Sequence, residues 1–457
     1  MVSLFWIICR KWEMEKVSET PAVNIGGIYF EVFSRSKLFI FCKIDQTKYR
    51  GEQMSECKIC NAETKLIMSF GKMPIANGFI SNVTDDEFFY DLAVYFCPSC
   101  FMVQLDKTVE PEIMFNENYH FISSTSNAMA KHFEEIAKEI METTSSKKSP
   151  FVVELGCNDG IMLKHIAARG INHIGIEPSG NVAVLARQKG VQVLEKFFTR
   201  DTAKEIVDKY GHADIICGAN VMCHIEEINS VLEGVNILLK DDGILFFEDP
   251  YLLDIVKKSS FDQIYDEHIY YFSGLSISEL GRRHNMQLID MIHQNVHGGS
   301  MRYYLKKNGS NVVTDRAKEY LSQEKAFELQ KIESYLNFKY RVDKICSDLK
   351  TILIKIKQKG SRIAGYGATS KSATLLNYAQ IGPDIIDYIS DTTPTKINKY
   401  TPGTHIPIKS YEFFAADNPP YTLLLAWNHK EEIFKKEKEY RQKGGKFITY
   451  FPEVSIE

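Results

Sequence analysis

The sequence predicts an α/β protein in three parts: a small cysteine-stapled domain, a doubly wound domain, and a second, C-terminal Rossmann-like α/β domain. Two Cys-x-x-Cys pairs predict the first part. Two strand–glycine turn–helix patterns, "FVVELGCNDGIMLKHIAARG" and "SRIAGYGATSKSATLLNYA", predict the others. A chain of 457 residues is too long for one core, so several domains are required. Composition is that of a globular protein, 44% hydrophobic and 25% charged. The net charge of −4, with both signs interspersed, argues against nucleic acid as a partner. No apolar run reaches the roughly 18–20 residues that cross a bilayer, so no membrane partner is expected.

The opening "MVSLFWIICR" carries its positive charges after the apolar run, the reverse of a secretory signal. Residues 1–53 hold no motif or cap pattern. Two readings stay open: an extension ahead of a start near Met54, non-native or disordered, or a small subdomain. Ten cysteines spread along a chain without a secretory signal point to a reducing, cytoplasmic location. Four of them are grouped. "CKIC" gives Cys57 and Cys60, and "CPSC" gives Cys97 and Cys100, with 36 residues between the pairs. Each pair can aim two sulfurs at one ion, and four thiolates close a tetrahedron around Zn2+. A closed site leaves no position for substrate, so this zinc is structural. Residues 54–105 are therefore expected to form a zinc-binding domain of short strands and turns.

The second part spans residues 106–305. A polar, mainly helical stretch leads to strand residues Phe151, Val152 and Val153, and then to "ELGCNDG". Here Glu154, Gly156, Asn158, Asp159 and Gly160 form a tight turn before an amphipathic helix. About twenty residues on, "HIGIEPS" is a second strand ending in Glu177, an acid placed to accept ribose hydroxyls. The turn is E-x-G-x-x-x-G and lacks the pyrophosphate-cradling spacing G-x-G-x-x-G. That points from NAD towards S-adenosylmethionine (SAM), which has ribose and adenine but no phosphate. The alternative is a turn that only packs. "ADIICGANVMCHI" then reads as a fourth strand with Asn220 and His224 beyond its carboxyl end, and "DDGILFFEDPYL" as a fifth, in the pattern of class I methyltransferases.

"YDEHIYYF", residues 265–272, follows the fifth strand. In a regular strand Glu267 and His268 would face opposite sides, so convergence requires an irregular turn. Residues 306–358 read as a long polar helical connector. Residues 359–457 repeat the strand–turn–helix logic around Gly365 and Gly367.

The cysteine quartet, "NYHFISSTS", "ELGCNDG", "GIEPS", "ANVMCHI", "EDPYL", "YDEHIYYFS" and "VHGGSMRYY" occur in that order. The chain thereby resembles the three-part sugar C-methyltransferases of deoxysugar biosynthesis, in particular C-3′-methyltransferases of nucleotide-linked 4-keto sugars. The resemblance covers about residues 55–455. It implies a zinc-binding domain, a SAM-binding core and a C-terminal domain around one active site. It implies catalytic roles for Tyr265, Glu267 and His268, with His268 the favoured base, and for His224 and Tyr119. Glu154, Gly156, Asn158, Asp159, Gly160, Glu177 and Asn220 would surround the methyl donor. On the acceptor side the candidates are Gly367 and Ser370, facing phosphate, His297, and Arg302, which could equally meet an acid.

The chemistry fits these residue types. A ketone at C4′ makes the proton on C3′ removable, and imidazole is a suitable base, contributing roughly 10²–10⁴-fold. A tyrosine hydroxyl can bond the developing enolate oxygen, and Glu267 can orient an imidazole. Two further readings are a SAM-dependent enzyme acting on another sugar carbon or small natural product, and an inactive zinc-ribbon binding protein. The oligomeric state is left open, a monomer included.

Overall fold

The computed structural model describes strands β1 (Val23–Ile25), β2 (Ile28–Phe33) and β3 (Phe39–Ile44), and residues 55–110, 127–309 and 311–457. The first three strands pair antiparallel in chain order as a unit of their own. The sequence offered no signal for them. Tyr119 lies outside the described residues.

From Ser55 onward the chain forms a second unit. Strands β4 (Lys65–Pro74), β5 (Phe89–Phe96) and β6 (Val103–Leu105) make an antiparallel meander. The register of β4 against β5 shifts twice, between Leu66 and Met68 and between Ser69 and Gly71, and Gly71 takes φ +76°.

The next sheet is built from β7 (Phe151–Leu155), β8 (Asn172–Ile176), β9 (Val193–Leu194), β10 (Ala213–Ala219) and β11 (Leu239–Pro250), all parallel. Every residue of β7 is buried, as expected of a strand covered on both faces. Phe151, Val153 and Leu155 share a core with Ala203, Ile206 and Val231, from helices Arg200–Tyr210 and Ile228–Leu238. Val152 packs the other way, with Phe133, Ile136 and Leu163 from helices Asn127–Thr144 and Leu163–Ala167.

The fourth strand of the zinc-domain sheet, β12 (Tyr270–Tyr271), is supplied by the octet and pairs antiparallel with β6. Strands β13 (Met286–Gln294) and β14 (Ser300–Lys307) complete the central sheet, whose order is β13-β14-β11-β10-β7-β8-β9 with β14 antiparallel to both neighbours. Strand order reverses between β7 and β10, the crevice where ligands of such sheets bind.

The expected single helical connector is two helices, Asp315–Ala326 and Ile332–Gln358, with Glu328 at φ +62° in the break. Near the end of the first, buried Glu324 accepts hydrogen bonds from Tyr251 Oη and from the Gly274 and Leu275 amides that open helix Gly274–Arg283. That helix is thus capped from a distant segment.

Strands β15 (Ile363–Tyr366), β16 (Tyr388–Asp391), β17 (Ile408–Ser410), β18 (Tyr421–Leu424) and β19 (Lys446–Thr449) form the last parallel sheet, edged by antiparallel β20 (Ser455–Ile456). The order β17-β16-β15-β18-β19-β20 again reverses beside its first strand. No helix among the described residues is long and apolar enough to cross a membrane.

Candidate active site

The two cysteine pairs occupy matching turns. Cys57 N donates to Ala62 O and Asn61 N to Cys57 O; likewise Cys97 N donates to Met102 O and Phe101 N to Cys97 O. Asn61 and Phe101 both take positive φ. The Cys57–Cys100 and Cys60–Cys97 sulfurs stand 3.5 Å apart, and all four lie within 4.8 Å of one another. Zn–S bonds of about 2.3 Å give tetrahedral edges of roughly 3.8 Å, so the four thiols fit Zn2+. The metal-stapled domain is fastened to the central one beyond the β6–β12 pairing. Asn229 Nδ2 donates to the Lys58 and Ile59 carbonyls, and Lys58 pairs with Glu226 at 2.7 Å.

At the reversal of the central sheet the glycine turn has no room for side chains. Gly156 takes φ +63°, and a Cβ there would stand 2.7 Å from Val221; at Gly160, φ is +73° and Ala186 would stand 3.1 Å away. Glu177 fixes the turn, its two oxygens accepting the amides of Asn158 (3.0 Å) and Ser179 (2.9 Å). Glu154 is buried with Oε2 lacking a hydrogen-bond partner, and burial beside Glu177 and Asp159 pushes its carboxyl well above the usual range. Asp159 pairs with Lys189 at 2.6 Å. Asn220, at φ +53°, lies across the crevice and donates its amide to Glu248 O. A tight glycine turn without pyrophosphate spacing, with the Glu177 carboxyl at the tip of the next strand to accept ribose hydroxyls, fits SAM.

The octet does not run as a strand through its polar half. A turn closes with His268 N donating to Tyr265 O; Tyr270 and Tyr271 pair with β6, and Phe272 makes a single bridge with Tyr251. This turn brings Tyr265 and His268 to the same side. A carbonyl can only accept, so the 2.8 Å contact of His268 Nδ1 with Gln263 O places the proton on Nδ1. Nε2 therefore presents its lone pair, and Tyr265 Oη donates to it at 3.0 Å. Burial pushes the His268 imidazole well below its ordinary pKa, with His224 and Lys371 adding to the shift. The His224 ring stands edge-on to His268 at 5.1 Å and bonds the Glu267 backbone; burial lowers it to about 4. Tyr270, Tyr271 and Phe272 are buried packing residues, as expected.

Glu267 points towards the zinc and C-terminal domains. Its Oε1 accepts from Asn77 Nδ2 at 2.6 Å, and Asn77 Oδ1 accepts from Ser370 Oγ at 2.8 Å. Burial, with Asp266 next to it, pushes the Glu267 carboxyl up to about 7. The link therefore joins all three parts. Ser370 opens helix Ser370–Tyr378 immediately after Gly367, whose φ is +89° and where a Cβ would stand 2.7 Å from Ala426. Lys371 Nζ donates to His297 O at 3.1 Å, and Lys396 Nζ to Ala368 O at 2.8 Å. Burial lowers both ammonium groups. His297 lies on the β13–β14 loop at φ +53°, with Gly298 against Trp427. Arg302 meets acids and not an open surface: it pairs with buried Glu248 at 2.6 Å and with Glu139 at 2.5 Å. Its donors are committed to joining helix Asn127–Thr144 to the sheet, as is His132, 2.6 Å from Glu248. This corrects the expectation of a substrate contact there.

The sequence reading missed Asn77, Gln263, Lys371 and Lys396. Asn77 sits in a Pro-Ile-Ala-Asn-Gly turn, a signal for a bend but not for a role.

Three family profiles cover the chain: "Putative zinc binding domain" at residues 57–115, "Methyltransferase domain" at 129–290 and "C-methyltransferase C-terminal domain" at 295–452. The C-methyltransferase NovU of Streptomyces niveus is 32% identical over 88% of this chain and 97% of its own length. A ubiquinone biosynthesis O-methyltransferase of Azorhizobium caulinodans is 22% identical over 26% of this chain and 46% of that protein. A SAM-dependent methyltransferase structure from Anabaena variabilis aligns at 13% identity and a TM-score of 0.33, covering 42% of this chain and 89% of that one. The chain belongs to the C-methyltransferase family and is a SAM-dependent C-methyltransferase with an N-terminal four-cysteine zinc-binding domain.

Proposed function

We propose that this enzyme methylates a nucleotide-linked 4-keto-deoxysugar at the carbon beside the ketone, C3′, and that His268 removes the proton. The observation that carries the reading is the fixed tautomer of His268, with Nδ1 tied to the Gln263 carbonyl and Nε2 aimed at Tyr265. Carbon is a poor nucleophile until it is deprotonated, so a C-methyltransferase needs a neutral base at this place more than an O-methyltransferase does. SAM supplies an electrophilic methyl group.

His268 Nε2 takes the C3′ proton once the acceptor displaces the Tyr265 hydroxyl. Tyr265 then donates to the enolate oxygen. Glu267, held by Asn77, keeps the turn in place, and His224 lines the path between base and donor. Glu177 and Asn158 hold the ribose, with Glu154, Gly156, Asp159, Gly160 and Asn220 shaping the crevice. Ser370 offers its backbone amide to the diphosphate at a helix N-terminus, and Gly367, whose own amide is held by Ser390 O, lets the chain turn there without a side chain in the way. His297 closes the loop above them. The zinc site holds β6, on which the octet is paired.

The test is a panel of nucleotide-linked 4-keto sugars, each incubated with SAM and read by mass spectrometry. A one-methylene mass gain, with the C3′ proton exchanging into deuterated water, is expected. Methylation of acceptors lacking the ketone overturns the proposal.

A further inference from the structure

We propose that Cys223, His224 and His268 form a second, inhibitory metal site that takes a soft divalent ion such as Zn2+ and arrests the enzyme when that ion is in excess. One ligand atom from each of the three residues lies within 4.8 Å of the other two. Ligation at about 2.3 Å from sulfur and 2.0–2.1 Å from nitrogen brings donors to roughly 3.3–3.6 Å, so the cluster closes by at most about 1.5 Å. Thiolate and imidazole donors favour Zn2+ and its neighbours over Mg2+ or Ca2+.

Closeness alone would be weak; the orientation of both rings is the second observation. Ligating histidines generally donate their other ring N–H to a carbonyl or carboxylate, which aims the free nitrogen. Both histidines already do this, His268 to the Gln263 carbonyl at 2.8 Å and His224 to the backbone of Glu267, and His268 Nε2 exchanges the Tyr265 hydroxyl, 3.0 Å away, for the ion. The Cys223 thiol donates to the Asp249 carboxylate, a base that can receive the thiol proton as the metal binds and pass it to water. Unlike the closed four-cysteine cluster, this one has three protein donors and an open fourth position. Cys223 has no part in the methyl transfer described above. Only the inhibitory consequence rests on His268 being the base; metal binding does not.

The zinc-loaded full-length protein is titrated with Co2+ and followed by its thiolate-to-cobalt absorption. One added equivalent is expected to produce the band in the wild type and in Cys346→Ser, and none in Cys223→Ser or Cys223→Ala. A thermal melt and SAM affinity confirm that each variant is folded. In parallel, Zn2+ above one equivalent should inhibit wild-type methyl transfer at a concentration at least about tenfold below that needed for Cys223→Ser, with unchanged basal rates. No band in the wild type, or a band that persists in both Cys223 variants through exchange at the four cysteines, overturns the proposal. The spectroscopic arm decides even when no acceptor in the sugar panel is methylated, which keeps this failure separate from failure of the substrate reading.

Discussion

The chain builds the same crevice twice and lines it with different groups, carboxyls in one and amines in the other. In the central sheet, Gly156 leaves β7 where a Cβ would strike Val221; in the C-terminal sheet, Gly367 leaves β15 where a Cβ would strike Ala426, each at 2.7 Å. An acid at the tip of the neighbouring strand fastens each turn. Glu177 accepts Asn158 N at 3.0 Å, and Asp391 accepts Ala368 N at 2.7 Å. Around the first turn stand Glu154, Asp159 and Glu177; around the second stand the ammonium groups of Lys371 and Lys396, donating to backbone carbonyls. Backbone topology supplies a place to bind in both, and on the proposed function the first takes the sulfonium donor and the second an anionic acceptor.

The strongest way to break this comparison is to fill each glycine in turn. Gly156→Ala combines about 1–2 kcal/mol of left-handed strain with a clash costing about 1–3 kcal/mol, so SAM affinity should fall roughly 100-fold by calorimetry. Gly367→Ala should leave SAM affinity within about twofold and raise the acceptor KM by a similar 100-fold. If both variants lose SAM binding equally, the two crevices are not functionally separate.

A smaller effect is expected from charge. Lys371→Met removes a cation worth about 1.5–3 kcal/mol to a bound anion, and should raise the acceptor KM by roughly tenfold or more without altering SAM affinity. An unchanged KM would remove Lys371 from the acceptor site.

The smallest effect is on pH dependence. As the proposed base, His268 acts in its neutral form, and burial holds its pKa below the ordinary value of about 6.5. The acidic limb of kcat/KM should therefore lie below pH 6.5, activity persisting as pH falls through that value and disappearing only lower. A limb at or above 6.5 contradicts a buried neutral base in the free enzyme.

What could be read from sequence was local. Cysteine knuckles, glycine turns and the acid at a strand tip are each set within a few residues, and they appear where the spacing placed them. The zinc-domain pairing of Tyr270 and Tyr271 could not be read, because their partners Gln104 and Val103 belong to another domain. Without that pairing, the octet reads as a continuous strand, whose alternation opposes the convergence that the Tyr265–His268 turn achieves. Arg302 was ambiguous for the same reason: Glu248 faces it on the next strand, and Glu139 comes from a helix well before either. Asn77 carries no chemical signature of its own, and only three-dimensional contact with Glu267 and Ser370 singles it out.

The central claim is that His268 moves the proton that makes carbon nucleophilic. Its most direct test is His268→Asn, assayed for methyl transfer and, separately, for SAM binding. The predicted result is a kcat loss of roughly 10²–10⁴-fold with SAM affinity unchanged within about twofold. Near-normal turnover in that variant would contradict the assignment.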